Sequence, residues 1–592
     1  VTAAVLLVVG AGEATDLARR ADRSGIPGEA AWASPSQRVH LRAWTERGWP
    51  GPNLVTSEGE DGDGAEPVAA WGGWPVAIGT RCLPNEVAGA LRRAAAVDGP
   101  ERYDGLRGTW GAVVLDRSGA GRAFGDPLGL RPIYWGRAGA VLAAGTDVHR
   151  VAAALATGAA PAPPRPFTAC ALGAVGYRPP RQSGYEGVEL LEPGAWIEVG
   201  ADGAAQVVDR GRPWLELGDL DGASPEELLD VVAAELAAGI ETALALGAAT
   251  VELTGGKDSR LVLATLVALG AADGHRYETS GLPDLPDVQV ASHLAAELGL
   301  DHHQVFRSAN VEGLPYPTLF DRFVLRTAGM VSGWETRPIL EHTGALRFSG
   351  LNGEALRTHR RIDPALDLAG RQEVVRRSVP TSALGLARPD YAAALEATFV
   401  GALDEVRAAA TDAHDAVDTF LLGVQTRQQY GPLDEIPSVR RFLPLSSLRA
   451  IRAAFALGGR RRHAELVHHA LIQRASRRLA AAPFAGDAWP EDLSTFADVD
   501  VPPPPAATEP GAIRAAGPSA APATPLMASL HRTLPEDRRA VLDDLLADTT
   551  NPAWDLLDRA RAIDAVERYG ELRPKQRKEL YGAASAARWC RA

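Results

Sequence analysis

The stretch Val251-Glu252-Leu253-Thr254-Gly255-Gly256-Lys257-Asp258-Ser259-Arg260 constrains the fold more than any other segment of the 592-residue chain. Ala248-Ala249-Thr250-Val251-Glu252-Leu253 before it reads as a short buried strand, and Leu261, Val262, Leu263, Thr265, Leu266 and Leu269 after it carry an apolar helix. A glycine pair between strand and helix lets the backbone turn sharply. The turn aims N–H groups and a helix N-terminus at one point, which suits a phosphate. Asp258 cannot bind a phosphate by itself, because like charges repel; it fits if a divalent cation stands between them. The loop is not a Walker A motif, since Lys257 is followed by Asp258 where that motif needs Ser or Thr.

The segments around the loop extend the pattern. Ser224-Pro225-Glu226-Glu227 opens a helix as a capping box with proline in the first turn. Arg276 to Gly281 reads as the next strand, Leu282 to Gly299 contains a helix, and Asp301 to Phe306 reads as a third strand. Strand and helix in repeated alternation predict a doubly wound parallel sheet.

Composition narrows the function classes. A net charge of −13 without a basic run argues against nucleic acid as the main partner. Three cysteines, Cys82, Cys170 and Cys590, form no C-x-x-C pair, which speaks against a disulfide framework or a cysteine-rich zinc site and fits a reducing cytoplasm. No apolar run has the length of a membrane span. Val1 to Val9 lacks a basic flank and a cleavage site, so it is expected to be a first strand, and the G-x-G that follows does not complete a dinucleotide fingerprint.

The loop resembles the S-G-G-x-D-S pyrophosphate loop of the asparagine-synthetase-like ATP pyrophosphatases, with Thr254 in the first serine position. That resemblance implies adenylation of a carboxylate with release of pyrophosphate. It gives Leu253, Thr254, Gly255, Gly256, Asp258 and Ser259 to the ATP phosphates, and the backbone of Ser280 to the adenine or ribose. Phe348-Ser349-Gly350-Leu351-Asn352-Gly353-Glu354 is similar to the family's S-G-E-G-x-D-E stretch. On it Ser349 and Gly350 lie near the nucleotide, and Glu354 shares Mg²⁺ with Asp258, a hard oxygen pair. Leu572 to Gly582 resembles the family's closing segment, where a lysine stabilises the charge that develops in both chemical steps; Lys578 fits best and Lys575 second. His302 and His303 are expected to be structural.

Residues 1–212 are strand-rich. Leu106 to Asp116, Gly125 to Trp135 and Tyr185 to Trp196 look like segments of the class II glutamine amidotransferase domain, an N-terminal-nucleophile (Ntn) sandwich that precedes the synthetase half in asparagine synthetases. The first two suggest a hairpin pair. The expected fold is therefore α+β followed by α/β: an amidotransferase-like sandwich over 1–212 and a parallel-sheet synthetase domain over 213–592. A proline-rich insertion at about 487–524 is expected to be a linker. A working glutaminase of this class needs an N-terminal cysteine thiolate, and the first residue is Val1, so this half is expected to be a retained scaffold.

On that expectation glutamine supplies no ammonia, and the amine is expected to belong to the substrate. That condition is met in β-lactam synthetases and in lasso peptide cyclases. Ile436 to Leu445 departs from the family pattern where β-lactam closure needs a Tyr–Glu pair, which leaves the general base unassigned, with Glu435 as one candidate. T-G-G-K-D-S-R together with G-x-x-G-E-A is most similar to lasso peptide cyclases. This resemblance implies ATP and Mg²⁺ as cofactors and a precursor peptide as substrate. It also implies a leader-recognition protein and a leader peptidase as partners. Two readings compete: an amide synthetase acting on a small amino acid, and a non-catalytic scaffold, against which Asp258 and Ser259 argue.

Overall fold

The computed structural model describes residues 4–10, 29–34, 36–44, 54–55, 68–156, 162–305, 314–336, 345–359, 375, 378–430, 440–486, 488–496, 499 and 534–591. Val1, Glu435, the segment 431–439 and most of the proline-rich stretch lie outside them.

The described residues up to Val208 build two six-stranded antiparallel sheets. In one, β1 (Ala4–Val9) lies between β3 (Val39–Trp44) and β9 (Val141–Gly145); β2 (Glu29–Ala33), β8 (Tyr134–Ala138) and β10 (Val188–Leu190) complete it. The other runs β12 (Ala205–Val208), β11 (Trp196–Val199), β7 (Gly121–Gly125), β6 (Leu106–Leu115), β5 (Val68–Ala77) and β4 (Leu54–Val55). Side chains alternate across a strand, and here both faces are covered. Val5, Leu7 and Val9 meet Val68, Val113 and Ile197 in the core between the sheets. Ala4, Leu6 and Val8 face outward into a second core with Val151, Ala171, Tyr581 and Trp589. The outer face of the other sheet, with Trp71 and Trp110, packs on Val87, Leu91, Leu236 and Ile240. The two sheets thus form a sandwich whose outer faces are covered by helices, including Pro225–Leu244 and Pro574–Cys590 from beyond residue 212.

The expected hairpin differs in one respect. β6 turns back into β7 at Gly121–Gly125, and residues 126–133 form a loop. Asp126 organises that loop: its carboxylate accepts from the backbone N–H groups of Leu128 and Leu130 at 3.2 and 3.0 Å and of Arg131 at 2.8 Å. A buried carboxylate that ties down a turn competes successfully with strand pairing.

Ser224 caps the helix Pro225–Leu244, accepting from Glu227 N while the Glu227 carboxylate accepts from Ser224 N at 2.8 Å. Beyond it lies a five-stranded sheet, wholly parallel, in the order β15 (Asp301–Val305), β14 (Arg276–Ser280), β13 (Ala249–Glu252), β16 (Leu346–Phe348), β17 (Arg440–Phe442). The chain leaves β13 toward β14 and β15, then crosses back to β16 on the other side. β13 and β16 therefore flank a topological switch point, where open α/β sheets offer a crevice at the carboxyl ends of the strands.

Packing runs continuously across residue 212. A single core joins Trp71 and Trp110 of the sandwich to Leu253, Leu261 and Ile451 around the parallel sheet. Phe442 of β17 stands edge-on to Trp74 of β5, ring centroids 5.9 Å apart. The C-terminal helix Pro574–Cys590 lies against the helix Pro166–Val175 so closely that a methyl group on Gly582 would fall 2.5 Å from the Leu172 carbonyl.

Candidate functional site

The loop after β13 and the turn after β16 meet at the switch point. Leu253 is fully buried and extends the strand: its N–H donates to Glu278 O at 2.9 Å and its carbonyl accepts from Thr279 Oγ1 at 2.6 Å. Thr254 and Ser259 then close the loop on itself, hydroxyl to hydroxyl at 2.9 Å, while Ser259 Oγ accepts from Thr254 N at 3.1 Å. Gly256 is the N-cap of the helix Lys257–Ala268. The first-turn N–H groups of such a helix have no partner within it and face the loop mouth.

Gly350 and Gly353 explain how the second segment reaches the loop. A Cβ on Gly350 would lie 2.6 Å from Ser259 N, and one on Gly353 would lie 2.3 Å from Asp258 Oδ1. Only glycine lets the two backbones approach this closely. Between them Asn352 sits fully buried in the left-handed region at φ +73°, held by Asn352 Nδ2 donating to Ser446 Oγ at 3.0 Å. Ser349 is buried, its N–H donating to Phe442 O at 3.1 Å. Ser280 is exposed at the carboxyl end of β14.

The residues that set the charge here are ones the sequence did not single out. Arg357 forks onto Asp258, Nε to Oδ1 at 3.1 Å and Nη2 to Oδ2 at 3.0 Å. Fully buried His468 donates from Nε2 to Oδ1 at 2.9 Å, the carboxylate being an acceptor only. Burial opposes ionisation of Asp258, but the His468 hydrogen bond and the Arg357 charge outweigh it and hold the carboxyl well below the usual range. Glu465 links the neighbouring pairs. It is ion-paired to Lys257 Nζ and lies 3.9 Å from Arg357 Nη1. It too is a buried non-glycine residue in the left-handed region, at φ +60°. Two such residues beside one loop mark a place where strain is held by surrounding contacts.

Lys257 and Arg260 belong to this support. Lys257 Nζ donates to Ala488 O at 2.9 Å and lies 5.0 Å from the Trp489 ring centre and 5.2 Å from that of Phe484. Arg260 donates to Leu479 O, Ala482 O and Pro483 O at 3.1, 2.6 and 2.5 Å, and burial pushes its guanidinium down to about 9. Residues 482–486, 488 and 489 are thereby strapped across the loop, with Ala485 N donating to Gly255 O at 3.1 Å.

Glu354, half-buried beside Arg357, raises the affinity of that guanidinium for its proton. Asp258 and Glu354 do not, however, stand as an open carboxylate pair for Mg²⁺. Asp258 Oδ1 already accepts two hydrogen bonds, and the lone pair left on Oδ2 lies beside a guanidinium that repels a dication. As arranged, the pair does not fit the metal. His302 Nε2 is bonded to Thr279 Oγ1 at 2.8 Å and His303 pairs with Asp301. Among the described residues no group of three or more His, Cys, Asp and Glu is placed to hold a metal ion. Lys578 is half-buried on the C-terminal helix, its carbonyl accepting from Ser332 Oγ at 3.1 Å, and Lys575 Nζ donates to Thr381 O at 2.7 Å. Among the described residues no helix is long and apolar enough to cross a membrane.

No family model matches the chain, and neither does any curated protein. Among solved structures, similarity is found to the allosteric regulatory enzyme of purine biosynthesis, at 13% identity and a TM-score of 0.24, over 47% of this chain and 64% of that one. It is also found to the glutamine phosphoribosylpyrophosphate amidotransferase from B. subtilis complexed with ADP and GMP, at 12% identity and a TM-score of 0.24, over 62% of this chain and 88% of that one. Likeness at this level carries no argument about fold or activity, which rest on the geometry above.

Proposed function

We propose that the chain is an ATP-dependent, AMP-forming amide ligase that closes a macrolactam in a lasso precursor peptide. The observation that carries the nucleotide part is the meeting of Thr254–Ser259 and Ser349–Gly353 at the carboxyl edge of a parallel sheet, on either side of its switch point. A glycine-paired helix N-terminus there suits the phosphates of ATP. The peptide part rests on the resemblance of T-G-G-K-D-S-R together with G-x-x-G-E-A, and on the departure of the 436–445 segment from the pattern that β-lactam closure needs.

In this reading an Asp or Glu side-chain carboxylate of the peptide attacks the α-phosphorus. An O–P bond forms, the bond to the β-phosphate breaks and pyrophosphate leaves. The peptide's N-terminal amine then attacks the acyl carbon and AMP leaves. Holding the two ends of one peptide together supplies effective molarity, the main advantage of such a site. Thr254, Gly255, Gly256 and Ser259 cradle phosphate, Ser349 and Gly350 hold the nucleotide edge, and Ser280 lies against adenine or ribose. Mg²⁺ enters this reading as the companion of ATP; no step is assigned to it here. Lys578 is the lysine proposed to meet the developing charge, with Lys575 as the competitor.

The test is mass spectrometry of a leader-free core peptide incubated with protein, Mg²⁺ and ATP, with nucleotides quantified alongside. Loss of one water from the peptide, matched by AMP and pyrophosphate and absent in Asp258→Ala, supports the reading. AMP formed only with a small amino acid overturns the peptide part in favour of an asparagine- or β-lactam-type synthetase. Comparison of Lys578→Ala with Lys575→Ala in the same assay assigns the lysine.

A further inference from the structure

The charge arrangement at Asp258 points beyond that reading. A carboxylate beside a phosphate loop is expected to recruit a cation from solution. Here the chain supplies its own. Arg357 meets both oxygens of Asp258 with the geometry of a bidentate pair, and His468 adds a third hydrogen bond from a fully buried position. This is the strong form of a charge-assisted contact, fixed in direction as well as charge. Asp258 and Arg357 side chains keep 21% and 22% of their surface, so the pair stands at the open side of the site and not deep in the core. Arg357 also has somewhere to go: Glu465 lies 3.9 Å from its Nη1, and Glu354 is close enough to act on its charge.

We propose that Arg357, oriented against Asp258 with His468, is an internal counter-ion that occupies the place of a divalent cation and excludes that cation from Asp258 in the ligand-free protein. Arg357 is thus a positioning residue. It keeps the loop charge-compensated and the carboxylate ionised, and any metal that reaches Asp258 must first turn the guanidinium away. Charge balance gives the sign. Removing Arg357 leaves a carboxylate with one hydrogen-bond donor and an uncompensated charge, which is a cation site in the making.

The experiment uses Mn²⁺ alone, without nucleotide or peptide, so its outcome is independent of the adenylation reading. Free Mn²⁺ is followed by its EPR signal against wild type, Arg357→Gln, Asp258→Asn and the double variant. The expected result is no Asp258-dependent Mn²⁺ binding in wild type, and binding in Arg357→Gln at least tenfold tighter than the weakest affinity the titration detects, which the second substitution Asp258→Asn abolishes. Wild-type binding that Asp258→Asn removes overturns the proposal. So does an Arg357→Gln variant with a native near-UV CD spectrum and unchanged Mn²⁺ affinity. If Arg357→Gln does not fold, Arg357→Lys, which keeps the charge but loses the fork, takes its place. A gain in Asp258-dependent Mn²⁺ binding supports the proposal, and affinity unchanged from wild type overturns it.

Discussion

Asp126 and Asp258 are both carboxylates held by several hydrogen bonds, one in the antiparallel sandwich and one at the edge of the parallel sheet, and their surroundings treat them in opposite ways. Asp126 is 2% exposed and its hydrogen bonds come from backbone N–H groups of its own loop and of Trp110. Burial pushes its carboxyl up to about 6 against the pull of those donors. Asp258 is met by a guanidinium and an imidazole from distant parts of the chain, which hold it well below the usual range. Backbone dipoles shape that loop and favour the charge they surround, but they do not outweigh its burial. Full charges on side chains secure ionisation, and they are found where the proposed chemistry needs a permanent anion.

The largest expected effect comes from breaking the second case. Asp258→Ala should lower AMP formation by about 10³-fold or more, the scale on which loss of a preorganised charged group acts. In the same protein it should leave Arg357 without its main partner, read as a lower melting temperature. A subtler break uses sterics alone. Gly353→Ala directs a methyl group to within 2.3 Å of Asp258 Oδ1. It should displace the carboxylate from Arg357 and reduce AMP formation by roughly 10²-fold, as misplacement by about an ångström does. A stability cost of about 1–3 kcal/mol should accompany it. Full activity with an unmoved melting temperature would mean that the contact is not needed.

The pH dependence of unfolding sharpens the contrast further. The folded-state value of Asp126 is raised, so its protonated form is favoured by folding. Its stabilising contribution is complete below the ordinary carboxylate value of about 3.9 and is lost as pH rises toward about 6. Asp258 has the opposite sign. Its contribution is complete above about 3.9 and is lost as pH falls below that value. In urea titrations Asp126→Asn should remove a fall in stability between about pH 4 and 6, and Asp258→Asn should remove a fall below about pH 4. The same slope in both variants as in wild type would remove the contrast. The smallest effect belongs to a residue that serves the fold alone. Ser224→Ala, which removes the cap of Pro225–Leu244, should cost about 0.5–2 kcal/mol and leave AMP formation unchanged.

Local patterns carried far in this chain. The Thr-Gly-Gly turn, the capping box at Ser224 and the alternating strands all depend on contacts a few residues apart, and the structure contains each of them. Gly350 was legible as part of a motif. The reason for Gly353 was not, because it exists only where that turn presses on Asp258. The extent of the loop at Asp126 is not legible in the hairpin pattern, because apolar alternation does not reveal a side chain that captures its own backbone.

The sequence by itself determined that a short strand, a glycine turn and a helix follow one another at residue 250, and that parallel strands surround them. These are consequences of periodicity and backbone freedom, which act over one or two turns. The tertiary structure decided what the loop's charge meets. Arg357, Glu465 and His468 stand 99, 208 and 210 positions away from their partners Asp258, Lys257 and Asp258. Their convergence follows from the crossing back to β16 and from the packing of the helix Leu466–Ala475 on Lys257–Ala268. Neither a spacing nor a composition encodes such an encounter, because electrostatic partners are chosen by distance in space, and distance in space is settled only when the whole core closes.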